Sequence, residues 1–247
     1  MTSTARLFAW KSAGVTHPGR IRSLNQDAYL DRPELGLWVV ADGMGGHSSG
    51  GMASSLIVER MAAMPHARLL GAAADEASEI LRRVNRELVA EAEMLHGDII
   101  GSTVVAVIAV GDHCALLWAG DSRAYRLRDG DLQQLTLDHT QVQEMVDEGV
   151  LTPEQAESHP LSNVLVRAVG GDVELEVDRR VEALADGDRY LLCSDGLVKE
   201  LSLARIGEIL AEPEPASAAE TLIQAACDAG GRDNVTVLVI DFMSNPG

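Results

Sequence analysis

VVAVIAVGDHCALLWAGDSRAYRLRDGDLQQL, residues 104–135, decides the fold. Apolar runs follow one another here with no helix between them. VVAVIAV turns at GDH into CALLWAG, and DSR leads on into AYRLR. Asp129-Gly130, a hairpin dipeptide, then turns that run into LQQL. A parallel sheet alternates strands with helices, so this order predicts antiparallel hairpins instead. Upstream, residues 8–15 and 37–41 read as strands, and 51–64 and 73–95 as helices. In the second helix Ile80, Val84, Leu88 and Ala92 recur at i+4, and Leu81 and Leu95 widen the stripe. Downstream, 140–149 reads as a helix, TPEQAESHP as a loop, and VEALADGDRYLLCSD as two strands around Asp-Gly. Helices follow at 203–211 and 216–228, the second stopped by Gly230 and Gly231, and NVTVLVIDF closes the chain as a strand. Strands come in hairpins and helices in pairs. The expected class is α+β, a four-layer α-β-β-α sandwich of two central antiparallel sheets flanked by pairs of helices.

The 247 residues contain no internal repeat, and the one loose segment, AEPEPAS at 211–217, is short. Residues 1–247 are therefore expected to form a single domain. A formal net charge of −18 argues against nucleic acid and anionic membrane as partners, and suits bound divalent cations. Cys114, Cys193 and Cys227 form no CxxC pair, Cys114 and Cys193 sit inside apolar runs and read as buried free thiols, and no disulfide framework is suggested, which fits a reducing cytoplasm. MTSTARLFAWKSAG has no apolar signal region, and VVAVIAV is too short to span a bilayer. A cytoplasmic monomer is the expectation.

Chemistry enters where the strands end. VVADGMGGHSSGG, residues 39–51, passes from an apolar strand to glycines through Asp42. Alone it reads as a turn, as a phosphate cradle, or as a metal site with Asp42 as ligand. CALLWAGD ends at Asp121, RYLLCSD ends at Asp195, and Asp233 stands just before the last strand. Any one of these is an ordinary turn acid. Four repeats of strand-then-acid are more than turns demand. Carboxylates that converge repel one another unless cations join them, and oxygen-only ligands suit Mg2+ or Mn2+. Zinc is disfavoured, since there is no HExxH and no paired His–Cys spacing. In GRIRSLNQDAYL, residues 19–30, Arg22 and Asp27 lie just beyond the first strand. An arginine near a divalent cluster is a natural phosphate clamp, though alone it reads as a surface residue.

GRIRSLNQD, VVADGMGGH, GSTVV, WAGDSRAY, LCSDGL and GRDNVTV occur in this order. The chain thereby resembles bacterial members of the metal-dependent protein serine/threonine phosphatase family (type 2C, PPM) from about residue 12 to 241. The resemblance implies hydrolysis of phosphoserine and phosphothreonine in phosphorylated protein substrates, a Ser/Thr kinase and its targets among them. It implies two Mn2+ or Mg2+ ions, and a third, weaker one. Asp42 would bridge the two ions, with the Gly43 carbonyl on one and Asp195 and Asp233 on the other. Asp121, with Asp195, matches the acids of the third ion. Asp27 would order nearby waters, with Gln26 beside it where many members carry Glu. Arg22 would bind the substrate phosphate. The ions, roughly 3.5–4 Å apart, would share a water, lower its pKa and direct it at phosphorus. Eukaryotic members place a His directly after the Asp-Gly, where this chain has Met44. His47 is then the candidate proton donor to the leaving oxygen, a metal-bound water the alternative, and His159 a candidate substrate contact. Residues 138–170 correspond to the family's flap beside the active site. On the residues alone, a hydrolase of nucleotides or small phosphate esters and a non-catalytic regulatory module stay open.

Overall fold

A computed structural model describes residues 8–46, 49–66, 68–95, 99–157 and 159–244. The chain opens with strands β1 (Phe8–His17), β2 (Asp27–Arg32) and β3 (Leu37–Gly45), then helices α1 (Ser49–Ala62) and α2 (Leu70–Met94). Five strands follow: β4 (Ile100–Ser102), β5 (Val104–Val110), β6 (His113–Ala119), β7 (Arg123–Arg128) and β8 (Asp131–Gln134). After them come α3 (Gln141–Asp147), α4 (Pro153–Glu157), β9 (Asp178–Ala183) and β10 (Arg189–Cys193). Helices α5 (Asp195–Val198), α6 (Leu203–Leu210) and α7 (Pro215–Ala229) lead to the final strand, β11 (Val235–Ser244).

The strands form two sheets, ordered β1-β11-β10-β7-β8 and β2-β3-β5-β6-β9, with β4 added beside β3. Pairings among the described strands are antiparallel, as the hairpin order predicts. Alternation along each strand divides its side chains between two cores. In β3, Trp38 and Val40 enter the core between the sheets, while Val39 and Ala41 face the core under α1 and α2. In β11, Leu238 and Ile240 face the other sheet, and Val237 and Val239 face α6 and α7. Sheets buried on both faces read as nearly continuous apolar runs, which is how VVAVIAV and VTVLVI look. The result is the four-layer sandwich, with α1 and α2 on one side and α6 and α7 on the other.

Several local expectations change. α2 ends at Met94, so Leu95 caps it and stays exposed instead of extending the apolar stripe. TPEQAESHP holds the short helix α4, which opens on Pro153 at the first helical position, where a missing N–H costs nothing. β2 lies at a sheet edge, and its sequence DAYLDR carries little apolar alternation to announce it. α5 is a single turn, too short for periodicity to register. Among the described residues, no helix is long and apolar enough to cross a membrane.

Candidate active site

Asp42 lies near the end of β3, directly opposite Asp27, the first residue of β2. Both backbone groups of Asp42 are engaged by residues 102 and 103. Its carbonyl accepts from Thr103 N–H at 2.8 Å and Ser102 Oγ at 2.9 Å, and its N–H donates to Thr103 Oγ1 at 3.2 Å. Gly43 then passes close under α1, where an added Cβ would lie 2.1 Å from the Gly50 carbonyl oxygen. The Gly43 N–H donates to the Gln26 carbonyl at 3.2 Å. Gln26 therefore helps through its backbone, tying its loop to β3.

Asp121 follows β6, and the turn before it is gripped by His139. The Gly120 N–H donates to His139 Nδ1 at 3.1 Å, and the Gly120 carbonyl accepts from the His139 N–H at 3.0 Å. Asp195 opens α5 and is ion-paired with Lys199 four residues on. Asp233 precedes β11 and receives the Arg22 fork, Nε on Oδ1 at 2.9 Å and Nη2 on Oδ2 at 3.0 Å.

These elements meet at one cleft of about 900 Å³, lined by Arg22, Asp42, Asp121, Asp195 and Asp233, with Gln26 and Gly43 beside them. The crowding shows in the acid strengths. Burial, followed by the charges of Asp27, Asp195, Asp121 and Asp233, pushes the Asp42 carboxyl well above the usual carboxylate range. Burial first, then Asp195 and Asp138, pushes Asp121 up to about 7. Asp27 is raised to about 6 by burial, against the pull of hydrogen bonds from Thr236 and Ser194 at 2.7 and 2.8 Å. Its other oxygen, Oδ1, is buried without a hydrogen-bond partner.

The donor set fits a hard divalent ion. It consists of carboxylates and carbonyls, and no histidine or cysteine is among the described residues lining the cleft. Among the described residues, no three His, Cys, Asp or Glu side chains gather closely enough to hold an ion unaided. Asp233 and Asp195 instead lean on Arg22 and Lys199.

His47 lies outside the described residues. His159 is not among the described residues lining the cleft, and its Nδ1 accepts the Leu161 N–H at 3.2 Å within its own turn. Two participants escaped sequence reasoning. Asn234 staples the Arg22 loop: its Nδ2 donates to the carbonyls of Pro18 and Leu24, and its Oδ1 accepts from Gln26 N–H. Its signal was its place beside Asp233. Lys199 stands at i+4 from Asp195, a spacing that predicts an ion pair on any helical turn.

A family model of protein phosphatase 2C matches residues 17–226. The serine/threonine protein phosphatase PstP of Mycobacterium tuberculosis is 41% identical over 228 residues, covering 91% of this chain and 43% of the relative. The chain thus spans less than half the length of that protein. The structure of PppA, a key regulatory component of T6SS in Pseudomonas aeruginosa, superposes with a TM-score of 0.89 at 40% identity, covering 95% of this chain and 98% of that one. The catalytic domain of PstP in complex with two manganese ions gives a TM-score of 0.85 at 39% identity, covering 96% of this chain and all of the other.

Proposed function

The chain belongs to the protein phosphatase 2C family, and from that membership we propose that it is a metal-dependent protein serine/threonine phosphatase. Its substrates are phosphoserine and phosphothreonine in other proteins, including a bacterial Ser/Thr kinase and that kinase's targets. The observation that carries this reading is the convergence of four strand-end aspartates and Arg22 on one cleft.

Asp42, Asp195 and Asp233 are the side chains that would hold two Mn2+ or Mg2+ ions, with the Gly43 carbonyl beside them and Asp121 at the outer end. When bound, such ions neutralise charge on the phosphoryl group and acidify a water nucleophile. The protein's own groups supply the rest. Arg22 presents a planar fork on an exposed stem, and the oxygen pair it grips on Asp233 has the shape of two phosphate oxygens. Exchange of one pair for the other would orient the phosphoryl group. Asp27, fixed by Ser194 and Thr236, keeps Oδ1 for water beside Asp42. His47 is the proposed proton donor to the leaving oxygen. Residues 138–170 act as a flap, since Val164, Val166 and Ala168 line the cleft and the Gln141 N–H at the start of α3 donates to the Val164 carbonyl at 2.9 Å. The three buried free thiols suit work in a reducing cytoplasm, and we read the chain as a monomer there.

The test is hydrolysis of a phosphothreonine peptide with Mn2+, with Mg2+ and with EDTA, beside an Asp195→Ala control. Metal-dependent release of phosphate that the substitution abolishes is expected. A protein that spares every phosphopeptide and hydrolyses a nucleotide would transfer the site to small phosphate esters.

A further inference from the structure

The acid cluster contains a cation for which the reading above has no task. Lys199 directly follows α5. Its N–H closes the turn on the Asp195 carbonyl at 3.0 Å, and its own carbonyl accepts from Arg232 Nη2 at 3.1 Å. With its backbone held on both sides, the side chain lies on the helix face that carries Asp195 and pairs with the carboxylate at Oδ2. Neighbouring cations are engaged elsewhere. Arg232 is held by Glu200, through Nε on Oε1 at 2.9 Å, and Arg22 by Asp233. Lys199 is not among the described residues lining the cleft, so its ammonium reaches Asp195 from beside the substrate's space. Asp195 acts on it most strongly among the acids, then Asp121.

We infer that Lys199 is a built-in cation at the Asp195–Asp121 end of the cluster, a positioning residue that orients Asp195 and keeps any ion beyond the two core ones weakly bound. The inference rests on the proposed metal site. A protonated ammonium has three donors and no lone pair, so it cannot ligate an ion. It also repels a divalent ion with twice the strength it would show a monovalent one. With Lys199 side-chain exposure at 35%, solvent screens part of this repulsion. What survives is expected to weaken an outer ion by about tenfold or more. Asp195 also serves the core pair, but the other core side chains are not ion-paired with Lys199, and Asp233 pairs with Arg22 instead, so the core ions are affected less.

The experiment is Mn2+ binding without substrate, by equilibrium dialysis with the free ion counted by electron paramagnetic resonance. It compares wild type with Lys199→Met, which keeps the stem and removes the charge, and Lys199→Arg, which keeps the charge. Circular dichroism melts check that each variant folds. Wild type is expected to bind two ions tightly. Lys199→Met should tighten the weakest site by about tenfold, and Lys199→Arg should follow wild type. Two tight ions with unchanged weak binding in Lys199→Met would overturn this inference alone. So would a Lys199→Arg isotherm that follows Met, since packing would then be the cause. A wild type that binds no Mn2+ would overturn the metal site and this inference with it.

Discussion

Arg22 is the proposed phosphate clamp, and its fork is engaged through two bonds to Asp233. Removing it as Arg22→Ala takes away the bidentate clamp, and with it about 1.5–3 kcal/mol of charged hydrogen bonding to the phosphate. KM for a phosphopeptide should rise by about tenfold to a hundredfold, and Arg22→Lys should restore only part because it brings charge without the fork. Steady-state kinetics decide this, and an unmoved KM would place the clamp elsewhere. The carboxylates make a second prediction at this scale. Asp42 is raised well above its ordinary value, Asp121 to about 7 and Asp27 to about 6. The folded protein therefore keeps protons that the unfolded chain gives up near about pH 4. The unfolded state binds fewer protons between that point and about pH 7, so these groups make stability fall as pH rises through the window. Their contribution is whole below about pH 4 and is lost as pH rises through the raised values of Asp27 and Asp121, with Asp42 adding to the loss in the same direction. Thermal melts in EDTA should show a midpoint that declines between about pH 4 and about pH 7, while saturating Mn2+ flattens the decline. A midpoint in EDTA that does not decline over that range would show that these acids are not crowded together.

The junction of β3 and α1 shows how an element brings an acid into place. Gly43 sits against α1 and the Gln26 loop, and an added Cβ would clash at 2.1 Å with the Gly50 carbonyl oxygen and at 2.6 Å with the Gln26 carbonyl oxygen. Gly43→Ala must push α1 or the Gln26 loop away. Overpacking of this kind costs about 1–3 kcal/mol, and here the displaced atoms are backbone, so the upper end is expected. Urea unfolding should show the loss, and activity should fall further than stability because Asp42 moves with its neighbour. Full activity in the variant would mean that the strand end tolerates displacement. The acids themselves were legible in the sequence, because a buried strand that stops at Asp is a conspicuous pattern repeated at Asp42, Asp121 and Asp195. Their supports were not. His139 grips the Gly120 turn from 19 residues away, and Asn234 ties down a loop more than 200 residues upstream. Such contacts depend on which loops fold together, and no local period encodes them. β2 was hidden for a related reason: an edge strand with one half-buried face needs few apolar residues.

At the scale of the molecule, the layers follow from strands apolar on both faces, which the hairpin order from 104 to 135 already implies. An edge-to-face cluster of Trp10, Trp38, Tyr190 and Phe242 fills the inter-sheet core and fastens β3 of one sheet to β10 and β11 of the other. The acid ends of strands from both sheets are thereby held at one cleft. The surface around that cleft shares the bias of the whole chain, whose formal net charge is −18. Asp172, Glu174 and Glu176 line one wall, where Arg167 is partly neutralised by Glu176 and Asp178. A field of this sign attracts cationic peptides and repels anionic ones over about 10 Å at 0.1 M salt, and over about 3 Å at 1 M. Phosphothreonine peptides flanked by Lys or Arg should therefore be hydrolysed with a higher kcat/KM than those flanked by Glu. Raising NaCl from about 0.05 M to about 0.5 M should lower the first value several-fold and raise the second, bringing the two together. The change should lie in KM, since steering acts on encounter and leaves the phosphoryl transfer step alone. Equal salt responses for both peptides, or a response confined to kcat, would show that ions act on the metal site and that the acidic surface does not select the substrate.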